Sequence, residues 1–186
     1  MNQKKNLYFI ALIPARELRE KINLIKRDFA LRFNSKAALK VYPHITLKTP
    51  FKCPAKEHVE LVNWFSELRN FPKAFPISLN GFGTFDNKNS PVVFIKPELS
   101  NDLMYLQKEL IASFSSLMPD DIHPLDLSYK PHATVAYRDL SPAMFSDSWK
   151  EYGNKNFKEI FDVTAFYLLQ HDTKKWNIIS TLSLEK

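Results

Sequence analysis

Residues 7–13 form an unbroken apolar run, as expected of a central strand buried on both faces. Pro14 follows at a helix start. Leu18, Ile22, Ile25, Phe29 and Phe33 then recur at spacings of 4, 3, 4 and 4, which predicts an amphipathic helix. Residues 39–42 and 44–49 read as short strands on either side of Pro43. Leu61, Trp64, Phe65 and Leu68 repeat the helical stripe. Residues 77–82 and 92–95 predict strands joined by a polar turn over 86–89. Ser100 or Asn101 caps a third helix that carries Leu103, Leu106, Leu110, Phe114 and Leu117. A Pro/Asp-rich loop over 119–126 leads into another short strand. A short helix follows Pro142. Two long strands, about 157–170 and 175–184, pair as a hairpin around Asp172-Thr173-Lys174.

These strands are not spaced by regular crossover helices, which argues against a doubly wound parallel sheet. The pattern predicts an α+β chain: two sheet-bearing lobes of mostly antiparallel strands, helices outside and a groove between. The 186 residues suit one bilobal domain, and 45% hydrophobic with 13% aromatic residues exclude disorder. Cys53 stands alone, so no intrachain disulfide is available. Lys4-Lys5 and the apolar run imitate an export signal, but Pro14 ends the run and Arg16-Glu17 follow without a cleavage site. No run has the length of a membrane span. The reading is a soluble, cytoplasmic monomer. The net charge of +6 is uneven: positions 1–40 hold ten Lys/Arg against three acids. That excess suits a polyanionic partner, or else the solvated face of a helix.

One pattern stands above the rest. Pro43-His44-Ile45-Thr46 and Pro131-His132-Ala133-Thr134 repeat the same four-residue form 88 residues apart. Composition alone predicts His-x-Thr about 0.2 times in such a chain, and about 0.01 times with a preceding Pro. On a strand, residues i and i+2 share a face, so each His projects beside its Thr. Two such pairs brought face to face supply a proton donor, a proton acceptor and two hydroxyls to hold phosphoryl oxygens. No His-Glu-x-x-His, cysteine pair or carboxylate at ligand spacing accompanies them, and no glycine-rich phosphate loop appears. The scheme calls for neither metal nor cofactor.

The paired motifs resemble the two-histidine phosphoesterase superfamily, which contains the 2′-5′ RNA ligases and 2′,3′-cyclic phosphodiesterases. The resemblance implies the bilobal fold, His44 and His132 as catalytic residues, Thr46 and Thr134 as phosphate ligands, and RNA ends or nucleotides as substrates. By family analogy His44 is the acid and His132 the base. The segment Leu47-Lys48-Thr49-Pro50-Phe51 departs from the family's usual continuation and leaves open a non-catalytic RNA-end or nucleotide-binding module.

Strand parity adds Lys48, at i+4 from His44, and Arg138, at i+6 from His132, to the motif face. Arg138 is a candidate phosphate clamp or the partner of Asp139. Tyr42 and Tyr129 precede the motifs and are candidates to stack on a base or to pack in the core. His58 reads as a surface residue, and His123 and His171 as loop positions without a partner.

Overall fold

The computed structural model describes residues 4–186. It contains two four-stranded antiparallel sheets. The first is ordered β2-β1-β7-β8, from β1 (Lys5–Leu12), β2 (Ile45–Pro54), β7 (Ala165–His171) and β8 (Trp176–Ser183). The second is ordered β5-β4-β3-β6, from β3 (Phe75–Phe85), β4 (Val92–Pro97), β5 (Ala133–Ala136) and β6 (Lys158–Val163). Five α-helices complete it: α1 (Arg16–Arg32), α2 (His58–Glu67), α3 (Asn101–Leu117), α4 (Pro124–Leu127) and α5 (Pro142–Tyr152).

The apolar run behaves as its pattern predicts. Tyr8, Ile10 and Leu12 enter the main core, while Phe9 and Ala11 enter a smaller cluster with Leu169 on the other side of the sheet. The main core is continuous across both sheets, joining Ile10 of β1 to Val93 and Ile95 of β4.

The two sheets are built alike. Strand β1, helix α1 and edge strand β2 correspond to strand β4, helix α3 and edge strand β5, and both helices have 17 residues. The helices are exchanged: α1 packs on β5 and α3 on β2, so each half supports the other half's motif strand.

Two predicted elements differ. Residues 39–42 are not a strand; a 3-10 turn spans Ala37–Lys40. The long strand expected over 157–170 is broken at Thr164: β6 pairs with β3 in one sheet, and β7 with β1 and β8 in the other. Strand-like residues continue on both sides of Thr164, and the core-facing parity shifts there, from Phe161 and Val163 to Phe166 and Leu168. Ser100, rather than Asn101, caps α3, its hydroxyl accepting from the Leu103 N–H at 3.2 Å.

Phe114 of α3 is fully buried, with Phe51 at 4.7 Å and Trp64 at 5.7 Å between ring centroids. Phe114→Ala should cost about 3–5 kcal/mol of unfolding free energy in urea titrations. A loss below about 1 kcal/mol would contradict this packing.

Candidate active site

Each motif histidine immediately precedes an edge strand that carries its threonine, and β2 and β5 approach one another. Thr46 from the first motif and His132 from the second line one groove of about 500 Å³. His44 lies close enough to feel the charge of His132.

The two histidines are held in the same way. His44 Nδ1 is 2.6 Å from the Tyr42 carbonyl, and His132 Nδ1 is 2.7 Å from the Lys130 carbonyl, each two residues upstream. A carbonyl only accepts, so Nδ1 carries the hydrogen in both rings and Nε2 is left for proton exchange. Each ring also leans on phenylalanine: His44 on Phe9 at 5.0 Å, His132 on Phe85 at 5.0 Å and Phe94 at 5.5 Å. Burial lowers the His44 pKa to about 4. The Tyr42 carbonyl opposes the shift, and the charges of Lys26 and His132 assist it. Burial also lowers the His132 pKa, against the pull of the Lys130 carbonyl. Thr46 and Thr134 are half-buried, and among the described residues neither hydroxyl makes a hydrogen bond.

Directly after each motif threonine the strand is bulged. Opposite β1 the register passes from Ala11↔Thr46 to Ile10↔Lys48, leaving Leu47 over. Opposite β4 it passes from Phe94↔Thr134 to Val93↔Ala136, leaving Val135 over. One extra residue reverses the side-chain parity beyond it.

The bulge corrects the expectation for Lys48, which turns inward instead of sharing the motif face. Its ammonium lies 2.9 Å from Asp126 Oδ2, the two side chains being 0% and 1% exposed, and 4.6 Å from the Phe114 ring centre. Asp126 also accepts the Thr49 N–H and the His123 N–H, each at 2.9 Å. Burial pushes its pKa up, but these N–H bonds and Lys48 outweigh burial and hold the carboxyl below its ordinary value. Gln107 of α3 donates to the Asp126 carbonyl at 2.9 Å and the Leu47 carbonyl at 3.4 Å. The strand of one motif is thereby fastened to the segment that enters the other.

Arg138 departs from expectation as well. Strand β5 ends at Ala136, and Arg138 lies beyond it, exposed, with a left-handed φ of 61°. Its guanidinium sits 5.1 Å from the Tyr137 ring centre and does not pair with Asp139. Asp139 instead accepts from Ser35 Oγ, Lys36 N and Ala37 N at 2.8–2.9 Å, anchoring the turn after α1. Tyr42 is exposed with Arg19 above its ring, 5.7 Å from the centre. Tyr129 lines the groove, and burial raises its phenol pKa.

The other histidines all have partners: His58 Nδ1 lies 2.9 Å from Tyr8 Oη, His123 caps α4, and His171 accepts from Thr173 N. Lys26 is a further charge that acts on His44. It is buried on α1, donates to the Ala38 and Val41 carbonyls at 3.1 Å, and has its pKa lowered to about 8 by burial. A charged residue four positions after Ile22 and three before Phe29, inside an apolar stripe, was the available signal. Among the described residues, no three His, Cys, Asp or Glu side chains cluster to hold a metal ion, and no helix is long and apolar enough to cross a membrane.

A family model for the 2′-5′ RNA ligase superfamily matches residues 14–175. The chain belongs to that superfamily. It is 28% identical over 178 residues to a Bacillus cytotoxicus protein provisionally named a phosphoesterase, covering 95% of this chain and 96% of that one. A Bacillus mycoides protein with the same provisional name is also 28% identical over 178 residues, with the same coverage of both chains. Among solved structures, E. coli LigT with bound 3′-AMP superposes with a TM-score of 0.70 at 18% identity, covering 98% of this chain and 100% of LigT. A Thermus thermophilus protein gives 0.69 at 21% identity, covering 96% and 97%. These likenesses establish the superfamily fold.

Asp126→Asn would leave the Lys48 ammonium buried without its counter-charge. It should cost about 3–5 kcal/mol by chemical denaturation, as breaking one side of a buried pair does. Unchanged stability would contradict the burial of Lys48.

Proposed function

We propose that the protein is a metal-independent phosphodiesterase that opens 2′,3′-cyclic phosphates on RNA ends or nucleotides to 2′-phosphates, and that carries out reversible 2′-5′ ligation at the same site. The observation that carries this reading is the pair of histidines at the entries to two neighbouring edge strands, each with Nδ1–H tied to a carbonyl so that Nε2 is free. The superfamily membership supports it, as does LigT, whose solved structures include complexes with 3′-AMP and phosphate.

In hydrolysis one Nε2 takes a proton from water, and the water oxygen bonds to phosphorus. The P–O3′ bond breaks, and the other imidazolium gives its proton to the departing O3′. Thr46 and Thr134 donate to the non-bridging oxygens as charge builds there. The imidazoles end with exchanged protonation and reset through solvent. Ligation is the same step with a 5′-hydroxyl in place of water: its oxygen bonds to phosphorus, the P–O3′ bond breaks, and the reverse reaction re-forms the cyclic phosphate and frees the 5′-hydroxyl. The resemblance assigns His44 the acid role and His132 the base role. In the free site the stronger depression is at His44, an order that by itself favours His44 as proton acceptor. A bound phosphate stabilises whichever imidazolium it touches and so sets the working assignment.

Both motifs come from one chain, so a monomer suffices. Thr46 and Thr134 complete the phosphate site, and exposed Lys130 at the groove rim is the cation best placed to meet an RNA backbone. Lys48, internally paired, has no role at the substrate in this scheme.

His44→Ala and His132→Ala should each lower kcat on nucleoside 2′,3′-cyclic phosphates by at least about a hundredfold while far-UV circular dichroism is unchanged. Phosphorus NMR of the wild-type reaction should show a 2′-phosphate. Full activity in either variant would sink the proposal. Nucleotide binding without turnover at any pH would mark a non-catalytic binding module.

A further inference from the structure

Among the described residues two lysines are withdrawn from solvent, and only one of them has a counter-charge. Lys48 pairs with Asp126. Lys26, 1% exposed on α1, has no carboxylate within ion-pair distance. Burial lowers its pKa to about 8 and no acid opposes the shift, so at neutral pH it remains an ammonium. Burying a charge without a partner is costly, which makes its position informative.

The ammonium donates to the Ala38 and Val41 carbonyls, each at 3.1 Å. Ala38 belongs to the 3-10 turn that packs on both α1 and β5, and Val41 follows that turn. The next residue is Tyr42, whose carbonyl holds Nδ1 of His44. The charge of Lys26 acts on the His44 ring from α1, as that of His132 does from the entry to β5. Arg19, over the Tyr42 ring, is a further cation on this side, and among the described residues no carboxylate acts on His44.

Holding backbone does not require the charge. Gln107 of α3 performs that task in the other half, its amide reaching the Asp126 and Leu47 carbonyls. A neutral donor suffices there. The lysine adds a positive charge behind the first motif, where low dielectric extends its reach. The group that balances it has to be an anion from solvent, and the groove lined by Thr46 and His132 is open to one.

We infer that Lys26 is a positioning residue for the reaction: its ammonium holds the turn that presents the Tyr42 carbonyl to His44, and its unpaired charge is balanced by the phosphate bound between the two histidines. The inference rests on the phosphodiesterase reading above. In the free site the charge disfavours an imidazolium at His44, and the arriving phosphate relieves that opposition.

Nitrogen-15 NMR of the wild-type protein follows the Lys26 ammonium directly. Saturating cytidine 2′-phosphate should raise the pH at which Lys26 loses its proton, and an unmoved titration overturns the inference. Lys26→Gln keeps a donor and removes the charge, whereas Lys26→Met removes both. In either variant the His44 ring should titrate at higher pH than in wild type, and calorimetric affinity for cytidine 2′-phosphate should fall about tenfold. The acid limb of kcat/KM should move to higher pH with His44, and Lys26→Gln should retain more kcat than Lys26→Met. Folded variants with wild-type His44 titration and nucleotide affinity would make Lys26 a structural anchor only and overturn the inference. A wild type that turns over no cyclic phosphate, yet whose Lys26 titration rises with the nucleotide, overturns the phosphodiesterase reading and leaves the counter-charge standing.

Discussion

The ion pair between Lys48 and Asp126 holds the site together. Lys48 belongs to the strand of the first motif, and Asp126 to the helix that precedes the second. Withdrawing two charges from water is costly, and an apolar pair of similar volume often stabilises a core as well or better. What the pair contributes is position. Asp126 spends its oxygens on Lys48, Thr49 N–H and His123 N–H, so one carboxylate fixes the bulged strand and the entry to α4 at once. The Asp139 bonds to Ser35, Lys36 and Ala37 make a second tie between the halves, from the exit of the second motif to the turn after α1.

Internal repetition explains why the two imidazoles are equivalent. Each motif lies on a sheet edge, opens with a carbonyl-bound histidine and ends in a bulge after the threonine. An edge strand leaves backbone groups unpaired and exposed to unwanted association. Here the two motif edges face each other across a groove, and the exchanged helices α1 and α3 back them. Equivalent histidines with the same tautomer suit a reaction whose forward and reverse directions interchange acid and base.

Much of this was legible in the sequence, for a physical reason: short-range periodicity records which face of an element is buried. The run over 7–13, the stripes of α1 and α3 and the doubled motif all carried that record. The misplaced features depend on pairing between distant segments. Lys48 was put on the motif face by parity, and a bulge visible only against β1 reversed it. Arg138 was placed by extending a strand that stops at Ala136. Thr164 passes the chain between sheets inside a run of strand-forming residues, and His58 finds Tyr8 fifty residues away. Lys26 belongs to the basic excess of positions 1–40, and its place in the apolar stripe marks it as buried.

The pH dependence of kcat/KM on a nucleoside 2′,3′-cyclic phosphate tests the acid–base claim most directly. It reports the free enzyme, in which one histidine must be charged and the other neutral. Both pKa values lie below the ordinary imidazole value in the free site, His44 at about 4. The charged partner is therefore lost as pH rises and the neutral partner as pH falls. The account predicts a bell with its optimum below pH 6.5, and a kcat optimum displaced upward because bound phosphate stabilises the imidazolium. A profile that is flat from about pH 5 to 8, or that has a single limb, would contradict a two-histidine mechanism.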